Sequence, residues 1–237
     1  MPHLSVIIPA YNEATRIGTT LESIVQFTKK VDYDIEVIVV ENNTTDHTRE
    51  VVITFSDQLH ITIIDIELFS ADGGTKGLAV KKGMLAATGE YLLYMDADNA
   101  VDISQVETFW QYFEQGNDVV FGSRYITGAH IHRVWYRDIL GRMANILVQT
   151  TLLPGIKDTQ CGFKIFTKDA GKMLFSKLET NGWGFDMELL ARARKSHYRL
   201  KEVPIVWREV GHSTVKGAAF LTTLKELFAI RKLIGKQ

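Results

Sequence analysis

Two aspartates stand one residue apart at the end of an apolar segment. Residues 91–95, YLLYM, are typical of a buried strand, and Asp96, Asp98 and Asn99 follow directly. A carboxylate pair in this setting can chelate a hard divalent cation such as Mg²⁺, which takes one or two carboxylates together with substrate phosphates. The alternative is a structural role, in which Asp98 or Asp102 caps the next helix. The pair alone favours neither interpretation.

Polar residues follow two other apolar segments in the same way. Tyr11, Asn12 and Glu13 come after the segment 4–8, and a polar turn that begins at Glu41 comes after the next. Helical and nearly all-apolar strand patterns alternate here, which favours a parallel sheet covered on both faces. Ligands of such sheets bind beyond the carboxyl ends of the strands. The clusters, with the glycine-rich loop 72–77, therefore predict a nucleotide crevice.

The patterns also predict the elements that position these residues. The predicted strands are 4–8, 35–40, 61–66, 91–95, 118–122 and 199–206. The predicted helices are 13–27, one that starts at 46, 75–87, 106–113, 134–153, 168–175, 185–196 and 218–234. A loop is predicted over 158–164.

Bulk properties exclude several classes of protein. The net charge of -1 does not mark a nucleic-acid binder, and 46% hydrophobic residues over 237 positions suit one compact domain. Cys161 is the single cysteine, so an intramolecular disulfide is excluded and a reducing compartment is expected. The apolar segments are too short to cross a bilayer, and the first residues do not resemble a signal peptide.

The sequence also resembles a known family. Four motifs are similar to those of family-2 glycosyltransferases with the GT-A fold: PAYNE (9–13), VVENNTTD (39–46), KGLAVKKGM (76–84) and MDAD (95–98). Three more narrow the resemblance to the polyprenyl-phosphate glycosyltransferases, above all the dolichyl-phosphate β-glucosyltransferase branch, with the mannose synthases close to it: GSRY (122–125), DTQCGFKIF (158–166) and GWGFDMELL (182–190). The resemblance covers nearly the whole chain.

The resemblance implies a fold and an activity. The fold is an α/β GT-A fold, a Rossmann-like, mostly parallel sheet with helices on both faces. It forms a single domain, in which residues 1–125 bind the nucleotide sugar and 126–237 form the acceptor-binding half with amphipathic helices. The activity is the inverting transfer of a hexose, glucose before mannose, from UDP-glucose or GDP-mannose to a polyprenyl or dolichyl phosphate. Mg²⁺ or Mn²⁺ is the implied cofactor.

The resemblance also implies a role for particular residues. The nucleotide-sugar site comprises Pro9, Tyr11, Glu13, Glu41, Lys76 and Asp96. Asp96 and Asp98 hold the metal, and the acceptor phosphate is held by Arg124, Arg137, Arg208 and Lys216. The catalytic set is Asp98, Arg124, Arg137 and Asp186.

Three positions depart from the family pattern. Glu41 stands where the family usually has aspartate, so the choice of nucleotide is open. Ala100 replaces a glutamine of the mannose synthases, so Asn99 or water must complete the metal shell. Lys216 is displaced from the late Gly-x-Ser-Lys signature.

The acceptor decides whether the reaction needs a base. A phosphate monoester has its second pKa near ~6, so it attacks without a base but requires cations such as arginine, whose planar fork binds two oxygens. A sugar hydroxyl requires a base, and Asp186 and Glu188 are the candidates. They do not share a helix face, and Asp186 is alternatively the N-cap of its helix. Cys161 is predicted to be a buried packing residue.

Two predicted helices, 134–153 and 218–234, are amphipathic and basic. Such helices suit a membrane interface, although most apolar helix faces cover a core. We therefore expect a peripheral protein on the cytoplasmic face of a membrane, with no transmembrane segment in this chain and no nucleic-acid partner. Two rival functions remain open: a transferase of the same fold that acts on a glycan or protein hydroxyl, and an inactive nucleotide-sugar-binding protein.

Overall fold

The structure, a computed structural model, describes residues 2–67, 75–132, 145–210 and 217–236. The strands within these ranges are β1 (Leu4–Ala10), β2 (Ile35–Asn42), β3 (His60–Ile66), β4 (Tyr91–Met95), β5 (Val119–Ser123), β6 (His130–His132), β7 (Phe163–Thr167), β8 (Leu200–Pro204) and β9 (Val206–Arg208). The helices are α1 (Ile17–Thr28), α2 (Thr48–Ile53), α3 (Lys76–Ala86), a 3₁₀ helix (Ile103–Thr108), α4 (Trp110–Glu114), α5 (145–151), α6 (Lys168–Ser176), α7 (Phe185–Lys195) and α8 (Gly217–Lys236).

Seven strands form one mostly parallel sheet in the order β3-β2-β1-β4-β7-β5-β8. β7 alone among them is antiparallel to its neighbours β4 and β5. A second, two-stranded parallel sheet pairs β6 with β9. The carboxyl ends of β1, β2 and β4 therefore meet at one edge, where the predicted crevice lies.

The sheet is covered on both faces because its strands are apolar on both faces. Val6 of β1 packs in a cluster with Leu21 of α1, whereas its neighbour Ile7 packs in a second cluster with Val80 and Met84 of α3. The first cluster also includes residues of α2 and α4, and the second includes residues of α6, α7 and α8. This double burial explains the nearly continuous apolar segments of β1, β2 and β4.

The predicted α/β class and mostly parallel sheet are confirmed, and the predicted strands of the first half lie at the expected places. Two predictions were wrong in part. The end of the loop 158–164 is the start of β7, which pairs with β4 from Met95 to Tyr91. The strand predicted over 199–206 is divided between β8 and β9, which belong to different sheets. Residues 145–151 of the predicted helix 134–153 are helical, and 133–144 lie outside the described residues. Residues 68–74, with most of the glycine-rich loop, also lie outside them.

Gly83 of α3 allows this helix to lie close against β1 and β2. A Cβ atom there would be 2.5 Å from Ile7 Cγ2 and 3.0 Å from Val40 Cγ2. We expect Gly83→Ala to destabilise the protein by about 1–2 kcal/mol, because overpacking outweighs the better helix propensity of alanine. In Gly18→Ala, the matched control in α1, the Cβ would meet Val51 Cγ1 at 3.4 Å, an ordinary contact. Urea unfolding measures both, and equal stability of the two variants would contradict the predicted overpacking.

Candidate active site

The acid pair lies on a tight turn at the carboxyl end of β4. Asp96 still donates its backbone N–H to the carbonyl of Gly162, at 3.2 Å, and Asp98 Oδ1 accepts from the N–H of Ala100 at 3.1 Å. Asp102, not Asp98, caps the next helix, since its side chain accepts from the N–H of Ser104. The cap interpretation is therefore wrong for Asp98, whose carboxylate remains part of the turn.

Gly162, which belongs to the DTQCGFKIF segment, leaves room for one of these acids. A Cβ atom at this position would overlap the carboxylate of Asp96. The loop that precedes β7 is thus shaped around the Asp96 side chain. This contact could not be predicted from the sequence, because the glycine lies 66 positions from Asp96 in the chain.

Glu13, which follows β1, adds its negative charge to the same edge of the sheet. Burial raises its pKa above the ordinary value, and the charges of Asp98 and Asp96 add to the shift, although Arg16 opposes it from 2.6 Å. Burial and the charge of Asp96 likewise raise the pKa of Asp98. Mutual repulsion of this kind is relieved by a bound cation.

Lys76, at the start of α3, contributes one positive charge to this edge. Its Nζ lies 2.5 Å from Asp96 Oδ1 and 5.8 Å from the centre of the Trp183 ring. Burial alone would lower the pKa of Lys76, but the charges of Asp96 and then Asp186 raise it above the usual value. The ammonium is therefore held beside the acid turn, where a diphosphate would arrive.

Glu41 is buried at the end of β2 with half of its carboxylate unused. Arg49 donates to Oε2 at 2.8 Å and also contacts Asp65 at 2.5 Å. Oε1 is buried without a hydrogen-bond partner among the described residues. Thr44 Oγ1 and Asn99 Oδ1 are likewise buried and have no hydrogen-bond partner among the described residues. Glu41 is the last residue but one of β2, and Thr44 and Asn99 follow β2 and β4. An unsatisfied buried oxygen costs about 1–3 kcal/mol, so three such atoms at this edge are suited to contact a ligand.

Pro9 and Tyr11 border the same edge from β1. Pro9 pairs in register with Val40, one position before Glu41, and Tyr11 is 56% exposed directly beyond the strand. Asn12 fastens this turn to the next, because its Oδ1 accepts from the N–H of Thr45 at 2.8 Å. An exposed tyrosine ring next to Glu41 forms a surface on which a flat base can stack.

Arg124 forms a buried ion pair that the sequence did not predict. Its Nε and a terminal nitrogen bind the two oxygens of Asp158 at 2.7 and 3.0 Å, and its backbone N–H adds a third bond of 3.0 Å. The arginine predicted to bind acceptor phosphate thus uses two of its five donors on Asp158. Burial opposes the charge on Asp158, but Arg124 lowers the pKa of that carboxyl below its ordinary value.

Asp186 lies in a second buried network. Its Oδ1 accepts hydrogen bonds from Tyr94 and from Lys164, whose Nζ is 2.7 Å away. Lys164 also donates to the Tyr94 hydroxyl and to the Cys161 carbonyl, at 2.9 and 2.6 Å. Gly184 is the N-cap of α7, so the prediction of Asp186 as the cap is wrong. This network could not be predicted from the sequence, since its side chains come from β4, β7 and α7.

The other candidates are placed as follows. Glu188 accepts from the N–H groups of Glu179 and Thr180, so it holds a loop. Arg208 lies beside the acid turn, because its N–H donates to the Ala100 carbonyl at 2.9 Å. Cys161 is buried as predicted, and burial raises the pKa of its thiol to about 12. The predicted phosphate ligands Arg137 and Lys216 lie outside the described residues.

The residues present fit a divalent metal shared with a substrate. The described parts of the chain contain no cluster of three or more His, Cys, Asp or Glu residues able to hold a metal. Two carboxylates, Asp96 and Asp98, and the orphaned Asn99 Oδ1 are the oxygen donors at the turn. Such a sparse oxygen set suits Mg²⁺ or Mn²⁺ that takes its remaining ligands from a diphosphate and water.

The mostly parallel sheet with an acid turn at its carboxyl edge is consistent with the GT-A fold, and comparison with known families gives the class of protein. The model described as "Glycosyl transferase family 2" matches residues 5–175. The chain belongs to glycosyltransferase family 2.

Individual relatives have names that are more specific than that of the family. It is 33% identical to dolichyl-phosphate beta-glucosyltransferase ALG5D of Trichomonas vaginalis, over 96% of this chain and 72% of that protein. It is 35% identical to the dolichyl-phosphate beta-glucosyltransferase of Saccharomyces cerevisiae, over 96% and 74%. Among solved structures, glucosyl-3-phosphoglycerate synthase of Mycobacterium tuberculosis, in complex with Mn²⁺, UDP-glucose and phosphoglyceric acid, aligns with a TM-score of 0.72 at 17% identity, over 98% of this chain and 80% of that one. This likeness shows the fold.

The buried pair of Arg124 and Asp158 makes a stability prediction. We expect Asp158→Ala to lower the free energy of unfolding by about 3–5 kcal/mol at pH 7, because it leaves Arg124 buried without its counter-charge. Since the folded pKa of Asp158 is lowered, its contribution is present above the ordinary value of about 3.9 and is lost as the pH falls through the folded value. The difference between wild type and variant should therefore shrink below about pH 4.

Urea unfolding at several pH values measures this effect. Glu50→Ala is the control, because Glu50 pairs with His47 on the open surface and its loss should leave the midpoint unchanged. Equal stability of Asp158→Ala and Glu50→Ala would show that the buried pair is not important to the fold.

Proposed function

We propose that this chain transfers glucose, with inversion, from UDP-glucose to a dolichyl-type polyprenyl phosphate at a membrane surface. The relatives that cover most of the chain carry the name dolichyl-phosphate beta-glucosyltransferase. The structural observation that most supports the proposal is the hydrogen bonding of the Asp186 carboxylate. Of the two candidate bases, Glu188 holds a loop, and Asp186 accepts hydrogen bonds from Lys164 and Tyr94 on Oδ1.

An acceptor that needs no base suits this arrangement. The second pKa of a phosphate monoester is about 6, so its dianion is the main form at neutral pH and attacks the anomeric carbon directly. A sugar hydroxyl would have to lose a proton during the attack, and Oδ1 of Asp186 is already occupied by two donors. The geometry therefore favours a phosphate over a glycan or protein hydroxyl.

Glu41 supports uridine as the base of the donor. Arg49 holds Oε2, so one oxygen, Oε1, remains for a base. The imide of uracil offers a single N–H, which one oxygen can accept. Guanine offers two adjacent donors, which call for both oxygens of a carboxylate. In this proposal Tyr11 stacks on the base and Pro9 borders it.

The diphosphate lies between the acid turn and Lys76. Asp98 and Asp96 hold Mg²⁺ or Mn²⁺, which supplies Lewis-acid stabilisation of the leaving UDP when bound. The structural relatives contain UDP with Mn²⁺ or Mg²⁺, which supports this assignment. Lys76 exchanges its contact with Asp96 for the phosphate, and Glu13 keeps the turn negative.

Cations beside the turn receive the acceptor phosphate. Arg208 is fastened to Ala100 and thus lies near the metal-holding residues. Arg124 fixes the loop at Asp158 with two donors and offers the others to the phosphate. Arg137 and Lys216 complete the proposed set.

The lipid tail of the acceptor requires contact with a membrane. No helix in the described ranges is both long and apolar enough to cross one. In α8, Leu227 and Ile230 face the core, whereas Phe228 is 52% exposed among the exposed Lys225 and Arg231. Ile146 of α5 is 58% exposed. Exposed apolar side chains with basic neighbours suit the cytoplasmic surface of a membrane.

A thermal-shift panel tests the donor. Ligand that binds only the native state raises Tm, so UDP with Mn²⁺ should raise it more than GDP with Mn²⁺ or UDP alone. Glu41→Ala should abolish the preference for UDP over GDP, whereas Glu50→Ala, on an exposed site, should keep it. An equal response of wild type to UDP and GDP would contradict the assignment of Glu41.

A transfer assay tests the acceptor. Labelled UDP-glucose, Mn²⁺ and short polyprenyl phosphates should yield a lipid-linked glucose, and Asp98→Asn should lower the rate about a hundredfold or more. The double variant Lys164→Met/Asp186→Asn removes the carboxylate without leaving an uncompensated buried charge. We expect it to keep activity within about tenfold, since loss of a true base costs about 10²–10⁴-fold.

The other outcomes of this assay separate the rivals. A larger loss in a folded double variant, or transfer to a glycan or protein hydroxyl, would favour the hydroxyl acceptor. Metal-dependent binding of UDP without any transfer would favour an inactive nucleotide-sugar-binding protein.

A further inference from the structure

Trp183 is held beside the donor site by an unusually well-fixed loop. The ring is half-buried, and Lys76 Nζ lies 5.8 Å from its centre while contacting Asp96 at 2.5 Å. An aromatic face at this place lies next to the expected diphosphate. The motifs of the acid turn do not account for it, and neither does the phosphate acceptor.

Two elements fix the backbone on the side of α3. Leu78 donates its N–H to the carbonyl of Asn181 at 3.2 Å, directly after Lys76. Gly77 allows this approach, because a Cβ there would be 2.7 Å from the carbonyl oxygen of Thr180. The loop that contains Trp183 is therefore tied to the start of α3, where Lys76 lies.

Glu226 of α8 fixes the loop on the opposite side. Its Oε2 accepts from the N–H of Gly184 at 2.6 Å. A Cβ at Gly184 would lie 2.8 Å from that oxygen, and one at Gly182 would overlap the other oxygen. Both residues that flank Trp183 must thus lack a side chain so that the Glu226 carboxylate can reach the backbone.

We propose that Trp183 forms the wall of the donor hexose subsite, and that Glu226 is a positioning residue which sets the ring. The inference rests on the proposed function, since it requires a nucleotide-sugar donor. A flat aromatic face packs against the C–H groups of a hexose, and sugar pockets gain specificity from a few rigidly placed side chains. The sugar of a donor bound near Lys76 and Asp96 lies next to this ring.

Calorimetric titration of UDP and of UDP-glucose, each with Mg²⁺, tests the inference. The quantity compared is the ratio of the two dissociation constants, because UDP lacks the hexose. Trp183→Ala should weaken UDP-glucose about tenfold relative to UDP, a loss of ~1.4 kcal/mol. Trp110→Phe, at the opposite end of the sheet, is the control and should leave the ratio unchanged.

Glu226 is tested in the same measurement. Glu226→Ala should shift the ratio in the same direction, Glu226→Gln should restore most of it, and the double variant with Trp183→Ala should equal Trp183→Ala alone. Thermal melts show whether each variant is folded, and Trp183→Leu, which removes the aromatic face but keeps an apolar side chain, replaces the alanine variant if that one is not.

The outcomes separate the two claims. If wild type binds both UDP and UDP-glucose and Trp183→Ala has the wild-type ratio of dissociation constants, this inference is overturned and the proposed function is left intact. An effect of Glu226→Ala that persists in the double variant overturns the positioning role. Wild type that binds neither ligand overturns the proposed function and this inference with it.

Discussion

Strand β7 runs antiparallel between β4 and β5, so its first residue, Phe163, pairs with the last residue of β4, Met95. This pairing places the loop before β7 at the carboxyl edge of the parallel strands. Gly162 then lies against Asp96, and Asp158 reaches Arg124 at the end of β5. The second half of the chain thereby contributes to a site whose acids come from the first half.

Two of the carboxylates at this edge, Asp186 and Asp96, each have a lysine as an opposite neighbour. Lys164 bonds directly to Asp186, and Lys76 bonds to Asp96 while responding to the charge of Asp186. Removal of one member of such a network strongly lowers the stability of the fold, because the remaining charges stay buried without compensation. The edge therefore behaves as a single electrostatic unit, and a change at one of these residues is felt by the others.

The first half of the fold was predictable, because β1, β2 and β4 are apolar on both sides and end in polar turns. The start of β7 was missed, because its second residue is Lys164, a residue type that is usually exposed, and the partner that allows its burial, Asp186, lies on the remote helix α7. Glu41, Asp96 and Asp98 were predicted at the sheet edge because ligands of parallel sheets bind beyond the carboxyl ends of the strands. Arg124 was also predicted, because it follows a strand end. Its partner Asp158 was not, because spacing along the chain does not show which distant charged residues lie close together in the fold.

The contact between Lys76 and Asp96 has a consequence for the order in which the site fills. The ammonium of Lys76 already offsets Asp96, one of the two carboxylates proposed to hold the metal, so a free cation would meet a half-compensated turn. On the proposed function, a cation complexed with a diphosphate would bring a new partner for Lys76 and free Asp96 in the same event. Donor and cation would then fill the site as one unit and not one after the other.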